Sequence, residues 1–215
     1  MATPFFIIIP ARYASTRLPG KLLLDVAGQP LLQHTYERAS QCDGAEVIIA
    51  TDDDKVRQAS ETFGAHVEMT GESHESGTDR IAEVAARRNL PDDAIVVNVQ
   101  GDEPLIPPSV IDQVANALAT HSEAHVATLC ALLTNRQEVF DPNIVKVVRD
   151  TNGFALYFSR APIPWLREEF EQIDGQWQLS AAPQAMRHFR HIGIYAYRAG
   201  SLREITQTMN QLRVS

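Results

Sequence analysis

The sequence predicts an α/β protein with a Rossmann-like, mostly parallel central sheet, helices on both faces and a smaller subdomain that contains a hairpin. Two observations support this fold class. Through the first 130 residues, short apolar runs alternate with segments of helical periodicity, which is typical of a parallel sheet covered on both faces. Beyond residue 130 the alternation stops, and an Asn152-Gly153 corner between two apolar runs, 145–149 and 154–159, predicts a β-hairpin.

The first half is predicted to supply four strands of the sheet. Each is a short run rich in apolar residues, and the last of them has the most strongly buried pattern. The four runs are Phe5–Ile9, Val47–Ala50, Val67–Met69 and Ile95–Val99. In sheets of this kind ligands bind at the carboxyl ends of the strands, so function is expected in the segments that follow these runs.

Four helices are predicted after these strands. Pro30 and Pro107-Pro108 suit the first turns of two of them. The cluster Asp52–Asp54 suits a helix N-terminus, as a cap or as an acidic first turn, and Gly64 ends that helix. Apolar residues at helical spacing mark the inner faces: Leu31, Leu32 and Ala39; Val56, Ala59 and Phe63; Ile81, Val84 and Ala85; and Ile111, Val114, Ala115 and Leu118.

The chain is expected to be a single domain, 1–215, with halves 1–130 and 131–215. The second half has the pattern of an insertion or subdomain that closes over the first. Residues 166–187 are polar and irregular, which predicts an exposed excursion, and His191–Tyr197 returns as a strand.

Composition narrows the class of protein. The 215 residues are 44% hydrophobic, and none of their apolar runs approaches the length of a membrane span. The N-terminus shows no secretory signal, and Cys42 and Cys130 match no metal or redox spacing, so a cytoplasmic protein with reduced thiols is expected. A net charge of −8 argues against a nucleic-acid binder.

A basic segment follows the first predicted strand of this acidic chain. Arg12, Arg17 and Lys21 lie within ten positions, whereas residues 41–103 hold fifteen acids against five bases. Two arginines can fork onto phosphates and the lysine can act as a point charge, so a triphosphate is the expected partner; the alternative is a surface loop of solvated cations. Small residues would let backbone N–H groups approach phosphate oxygens, namely Ala11, Ala14 and Ser15.

An acidic turn, Gln100-Gly-Asp-Glu-Pro104, follows the most buried strand. Mg²⁺ prefers one or two carboxylates together with phosphate oxygens and water, so Asp102 fits as a magnesium ligand next to a triphosphate. Glu103 either supports it or faces solvent. The alternative for Asp102 is a simple turn residue.

A polar loop precedes the third predicted helix. Ser76, Thr78 and the backbone of Gly77 could read the edge of a base, and Asp79 is expected to pair locally with Arg80. The same residue types are also ordinary helix caps.

These three segments, together with three more, carry a resemblance over essentially the whole chain. The strings that carry it are PARYASTRLPGK, ESGTDR, NVQGDEP, DPNIVK, ALYFSRAPIPW and RHIGIYAYR. In this order they resemble the 3-deoxy-manno-octulosonate (Kdo) cytidylyltransferases, also called CMP-Kdo synthetases. The first and third strings are similar to those of nucleotidyltransferases in general, and the last two narrow the resemblance to the Kdo enzymes.

The resemblance implies a nucleotide-diphospho-sugar transferase fold and a Mg²⁺-dependent reaction of CTP with Kdo that yields CMP-Kdo and diphosphate for lipopolysaccharide synthesis. It also implies a homodimer with its contact after the hairpin. The implied residues are Ala11, Arg12, Arg17 and Lys21 at the phosphates; Ser76, Thr78, Asp79 and Arg80 at cytosine and ribose; Gln100 at the junction with the sugar; Arg160, His191, Tyr195 and Gln211 at the sugar; and Asp102 at the metal.

Arg12, Lys21 and Asp102 are the expected catalytic residues. Tyr195 alternates with apolar residues in a predicted strand, so packing is its alternative role. His188 is a less secure sugar residue than His191, and a solvated surface position is at least as strongly expected for it. Members of the family continue past the position of Ser215 through a Gly-Val-Asp-Thr segment with a further metal ligand, so the second half is expected to be truncated. Two alternatives stay open: a cytidylyltransferase for another sugar acid, and a CTP-binding protein without turnover.

Overall fold

The computed structural model describes residues 4–14, 18–43, 45–167, 169–179 and 188–214, with side chains for all of these except 173, 176, 179 and 210–214. The described chain forms two compact units. The first unit is Met1–Ala127 with Ile194–Ser215, and the second unit is Thr128–Gly193. Residues 194–215 thus belong to the same unit as the first half of the chain. The division predicted from the sequence, at residue 130, had grouped them with the second half.

Twelve strands and six α-helices are present in the described ranges. The strands are β1 (Phe5–Pro10), β2 (Asp25–Val26), β3 (Gln29–Pro30), β4 (Ala45–Thr51), β5 (His66–Met69), β6 (Ile95–Asn98), β7 (Val126–Leu132), β8 (Lys146–Arg149), β9 (Ala155–Ser159), β10 (Phe170–Ile173), β11 (Gln176–Leu179) and β12 (Phe189–Arg198). The helices are α1 (Leu31–Ala39), α2 (Asp54–Thr62), α3 (Gly77–Arg87), α4 (Pro108–Thr120), α5 (Arg136–Phe140) and α6 (Ala199–Val214), and a 3₁₀ turn spans Lys21–Leu23.

The sheet of the first unit has the strand order β5-β4-β1-β6-β12. The pairs β5–β4, β4–β1 and β1–β6 are parallel, and residues 195–198 of β12 run antiparallel to β6. Ile7, Ile8 and Ile9 on β1 have no exposed surface, nor do Val96 and Val97 on β6. Burial on both faces of a strand is the reason for the continuous apolar runs in the sequence.

Local signals in the sequence set the ends of the helices. The Asp53 side chain accepts from the N–H groups of Lys55 and Val56, so the acidic cluster does cap α2. Gly64 follows that helix with φ +77°, a left-handed conformation that glycine adopts without steric cost. Pro108 is the first residue of α4.

The second unit contains the predicted hairpin, in which β8 and β9 pair antiparallel through the turn at Asn152-Gly153. The expectation of an irregular excursion over 166–187 is wrong for residues 170–179, because β10 and β11 form a second hairpin. Its turn is Asp174-Gly175, with φ +51° and +79°. Phe170 packs with Leu133 and Val139 in the core of this unit.

No helix in the described ranges has both the length and the apolar character that crossing a membrane requires.

Candidate active site

The candidate site lies in the first unit, where two adjacent parallel strands end. Ile8 of β1 is level with Asn98 of β6. Pro10 and Gln100 each follow two residues later, so the basic segment and the acidic turn leave the sheet at the same edge. This is the edge at which open α/β sheets bind ligands.

Hydrogen bonds and one glycine position the described parts of the basic segment, residues 11–14 and 18–21. Ala11 is fully buried, and its N–H donates to the Ala50 carbonyl at 2.8 Å. Gly20 N–H donates to the Tyr13 carbonyl at 2.9 Å, and Gly20 has φ +70°. A Cβ on Gly20 would lie 3.2 Å from the Tyr13 ring, so this close approach also requires glycine. The chain therefore enters the 3₁₀ turn with Lys21 at its first position.

The acidic turn packs directly against that 3₁₀ turn. A Cβ at Gly101 would lie 3.2 Å from Leu22 and 3.3 Å from Leu32, so only glycine fits there without displacing them. The Gly101 carbonyl accepts from Thr35 Oγ1 at 3.0 Å. Packing and hydrogen bonding thus hold the turn that carries Asp102.

Lys21 and Asp102 meet as an ion pair. Lys21 Nζ lies 2.7 Å from Asp102 Oδ2, and the two side chains are 41% and 44% exposed. Both line a cleft of about 390 Å³, within the range of small-molecule sites (roughly 300–1,000 Å³). The residues that line this cleft are Pro10, Arg12, Ala14, Lys21, Leu22, Glu75, Gly77, Gln100, Gly101 and Asp102.

The acidic turn carries two adjacent carboxylates, Asp102 and Glu103. Reduced hydration, together with the negative charge of Asp102, raises the pKa of Glu103. In the described part of the chain no cluster of three or more potential ligands could enclose a metal by itself. Asp102 and Glu103 could supply the one or two carboxylates that Mg²⁺ takes when phosphate oxygens and water complete its shell. The residues present therefore fit that ion.

The end of the polar loop caps α3. Ser76 Oγ accepts from the N–H of Asp79, and the Asp79 carboxylate accepts from Ser76 N–H at 3.0 Å, which makes a capping box. The expected local pairing of Asp79 with Arg80 is wrong. Arg80 has no exposed surface, and its guanidinium donates to Asp52 at 2.6 Å and to Thr70, so its carboxylate partner is Asp52, the residue that follows β4.

The same loop contacts Arg12. Arg12 Nη2 donates to the His74 carbonyl at 2.6 Å. The His74 imidazole contacts Glu83 of α3, and Glu83 also accepts from Gly71 N–H at 2.9 Å and pairs with Arg87. Burial alone would raise the pKa of Glu83, but the hydrogen bonds from His74 and Gly71 outweigh it, so the pKa lies below its ordinary value.

Polar side chains at the end of β6 and on β12 are near the candidate site. Gln100 Nε2 donates to Asn98 Oδ1 at 3.2 Å, and Asn98 is level with Tyr195 across the strand pair. The Tyr197 side chain is hydrogen-bonded to Thr78 at the start of α3, and burial raises the pKa of Tyr197 to about 12. Tyr195 stacks on Tyr197 with ring centroids 5.9 Å apart, a packing contact that fits the alternative role of Tyr195, and its role at the sugar stays a prediction.

Two predicted sugar residues and one other histidine belong to the second unit. Arg160 donates to the Pro142 carbonyl at 2.7 Å, and the His191 ring lies 2.9 Å from Thr128 Oγ1 and edge-on to Phe158. Burial lowers the pKa of His191. The expectation of a solvated His188 is wrong: it is fully buried, with Nε2 2.8 Å from the Pro164 carbonyl, because it packs beside Phe170.

The structure brings together Arg12, Lys21, Gln100 and Asp102 of the predicted site residues. Arg17 lies outside the described residues, and so does the side chain of Gln211. Sequence reasoning did not single out Glu75 as a cleft residue, nor His74 and Glu83 behind the cleft. Their roles depend on how the loop folds back on α3, for which the sequence holds no local signal.

The fold and the site define a class: a nucleotide-binding α/β protein with cations and a carboxylate at the carboxyl ends of adjacent strands. The family model described as cytidylyltransferase matches residues 6–212. A protein of Nitrosococcus oceani named 3-deoxy-manno-octulosonate cytidylyltransferase is 52% identical, over 94% of this chain and 76% of its own length. The chain belongs to the 3-deoxy-manno-octulosonate cytidylyltransferase family within the cytidylyltransferases.

Two further relatives agree with this family. A protein of the same name from Pseudomonas fluorescens is 52% identical over 99% of this chain and 86% of its own length. The solved structure of CMP:2-keto-3-deoxy-manno-octonic acid synthetase, complexed with CTP, superposes with a TM-score of 0.82 at 41% identity, over 99% of this chain and 85% of that one. The predicted fold class and the resemblance are both confirmed.

Proposed function

We propose that the protein transfers the cytidylyl group of CTP to 3-deoxy-manno-octulosonate and releases diphosphate. The single observation that carries this function is the cleft shared by Arg12, Lys21 and Asp102 at the ends of β1 and β6. The names of its relatives point to the same substrates.

In the reaction the anomeric hydroxyl oxygen of the sugar forms a bond to the α-phosphorus as the bond from that phosphorus to the diphosphate oxygen breaks. The hydroxyl proton is released, and negative charge develops on the α-phosphate and on the departing diphosphate. Arg12 and Lys21 present positive charge to these groups in a preformed cleft, which stabilises the transition state. Arg17 remains the third predicted cation of this set.

A magnesium ion would be held by Asp102, with Glu103 beside it. When bound, such an ion neutralises phosphate charge and orients the phosphates for in-line displacement. Asp102 lines the cleft, and Glu103 follows it in the same turn, so two carboxylates lie next to the expected position of the phosphates.

Gly77 and the first turn of α3 would border the cytosine and ribose. The side chains of Ser76, Asp79 and Arg80 bind other groups of the protein at that turn. They would therefore hold the turn in place at the base subsite and would not contact the base themselves. Gln100 and Tyr195 are the first-unit candidates at the sugar. The roles of Arg160, His191 and Gln211 at the sugar stay predictions.

The second unit offers a surface for a homodimer. Its edge strand β9 exposes Leu156 by 68% and Tyr157 by 62%, and Trp165 and Trp177 are each 49% exposed. An edge strand with exposed large apolar side chains is a ready surface for a second copy of the chain. Sedimentation analysis of Leu156→Glu against wild type tests this: the variant should sediment as a monomer, and an unchanged dimer would contradict the assignment.

Two free thiols, Cys42 and Cys130, favour the reducing cytoplasm as the compartment. Such an activity would supply an activated sugar for lipopolysaccharide synthesis.

The decisive experiment incubates the protein with CTP, Mg²⁺ and a panel of sugar acids and measures diphosphate release. Release with 3-deoxy-manno-octulosonate above all others is the expected result. Release only with a different sugar acid would show that the protein is a cytidylyltransferase with that sugar acid as its acceptor. CTP binding by calorimetry without product from any acceptor would make the protein a nucleotide binder.

A further inference from the structure

His74 and Glu83 lie outside the set of described residues that line the cleft, yet they connect to it through one contact. Arg12, which does line the cleft, donates from Nη2 to the main-chain carbonyl of His74 at 2.6 Å. An arginine side chain has several rotatable bonds, so a fixed acceptor determines where its remaining donors point. The position of that carbonyl therefore sets the direction of the Arg12 guanidinium.

Two carboxylates of α3 hold the loop that carries this carbonyl: Asp79 caps its end at Ser76, and Glu83 holds the part that contains His74. Residues 70–76 form no helix or strand. Glu83 Oε2 accepts from Gly71 N–H at 2.9 Å and contacts Nε2 of His74, so it holds the loop at both ends of a four-residue span. Glu83 Oε1 pairs with Arg87, whose guanidinium also donates to the Met69 carbonyl.

The burial of this arrangement distinguishes it from an ordinary surface ion pair. The side chains of His74 and Glu83 are only 21% and 19% exposed, whereas those of Lys21 and Asp102 in the open cleft exceed 40%. A partly buried, charge-assisted contact is screened less by water and holds its geometry better than an exposed one.

We propose that His74 and Glu83 are positioning residues for Arg12: they fix the loop whose carbonyl aims the Arg12 guanidinium into the nucleotide cleft. Neither residue touches the nucleotide. The identity of the ligand, CTP, is taken from the proposed function, and the positioning role rests on it in that respect.

A double-mutant cycle in the full chain tests this proposal. CTP affinity is measured by calorimetry with Mg²⁺ and without sugar acid, in wild type, His74→Ala, Arg12→Ala and the double variant. His74→Ala should weaken CTP binding by about tenfold, and Arg12→Ala should weaken it at least as much. If His74 acts through Arg12, the double variant should bind CTP within about twofold of Arg12→Ala alone.

Two further variants separate positioning from mere stability. His74→Gln keeps an N–H donor for Glu83 and should retain CTP affinity to within about threefold of wild type. Glu61→Gln on α2 is the control for the pairing of a carboxylate with an arginine one turn away, which Glu61 makes with Arg57 as Glu83 does with Arg87, and it should leave CTP affinity unchanged.

The outcomes are distinct. Multiplying effects in the double variant, or normal affinity in His74→Ala, would overturn the positioning role. A non-additive cycle in a protein that releases no diphosphate with 3-deoxy-manno-octulosonate would support the positioning role and overturn the proposed acceptor. Thermal unfolding of each variant identifies any that fails to fold, and His74→Gln then decides alone: low affinity in that variant would count against the proposal.

Discussion

Lys21 and Asp102 are 81 residues apart in the chain, and Lys21 Nζ donates to Asp102 Oδ2 at 2.7 Å. Each side chain is more than 40% exposed, so solvent screens the pair and it contributes little to folding, below about 1 kcal/mol. The two groups are therefore available to a ligand: the ammonium to phosphate and the carboxylate to a cation.

Asp102→Asn should separate activity from stability. Because the amide loses the negative charge that would hold Mg²⁺, we expect diphosphate release to fall by about 100-fold or more, while the free energy of unfolding changes by less than about 1 kcal/mol. Steady-state kinetics over a range of Mg²⁺ concentrations and urea unfolding measure the two quantities. Wild-type activity in this variant would show that Asp102 is not a catalytic residue.

Gly20→Ala should weaken the protein and its nucleotide binding. Its φ of +70° disfavours a side chain by about 1–2 kcal/mol, and the new Cβ would lie 3.2 Å from the Tyr13 ring, next to Lys21. Gly28→Ala is the matched control, since its φ is +88° but no atom lies within 4 Å of the added Cβ. Both variants should lose stability in urea, and Gly20→Ala alone should lose CTP affinity. Equal CTP affinity in the two variants would show that the Tyr13 contact has no influence on the cleft.

Asp52→Asn should destabilise the first unit strongly. Arg80 is fully buried and Asp52 is its carboxylate partner at 2.6 Å, so the substitution leaves a buried guanidinium without its counter-charge, which costs about 3–5 kcal/mol. Asp54→Asn is the control, because Asp54 is 72% exposed in its pair with Arg57 and should cost less than about 1 kcal/mol. Urea unfolding at pH 7 compares them; equal losses would mean that Arg80 finds another partner.

His188 should make folding sensitive to acid. Burial lowers the pKa of His188 below its ordinary value of 6.5 in the folded protein. The unfolded chain therefore takes up a proton near pH 6.5 while the folded protein resists it, and the free energy of unfolding falls as the pH drops from 6.5 to the folded-state pKa, by at most about 1.4 kcal/mol per pH unit. His188→Gln should reduce the difference in unfolding free energy between pH 7.5 and 5.5.

The control for this pH effect is His121→Gln, which makes the same substitution at an exposed histidine and is compared with wild type over the same pH range. An identical pH difference in wild type and His188→Gln would show that His188 titrates normally.

The features predicted from the sequence are those with local signals. The strands β1, β4 and β6 were predictable because burial on both faces demands unbroken apolar runs, as at Ile7–Ile9. Arg12, Lys21 and Asp102 could be placed at one site because parallel strands bring their carboxyl ends to a common edge. Asp174-Gly175 is also a dipeptide typical of hairpin turns, but the residues on either side of it are largely polar, so β10 and β11 were not predicted as strands.

The features that the sequence did not predict depend on contacts between distant segments. Arg80 and Asp52 are 28 residues apart, and no spacing rule selects Asp52 over the adjacent Asp79. The burial of His188 depends on how Phe170 and Pro164 fold around it. Glu83 lies on a predicted helix with an unremarkable surface pattern, and only the return of the loop to that helix gives it partners.

The hydrogen bond from Ala11 N–H to the Ala50 carbonyl prolongs the pairing of β1 with β4 by one residue beyond the strand, inside the core. In deuterated solvent this amide would exchange only when the central sheet itself opens. Arg12 follows Ala11 directly, so its backbone should keep its place beside the cleft when segments elsewhere open locally.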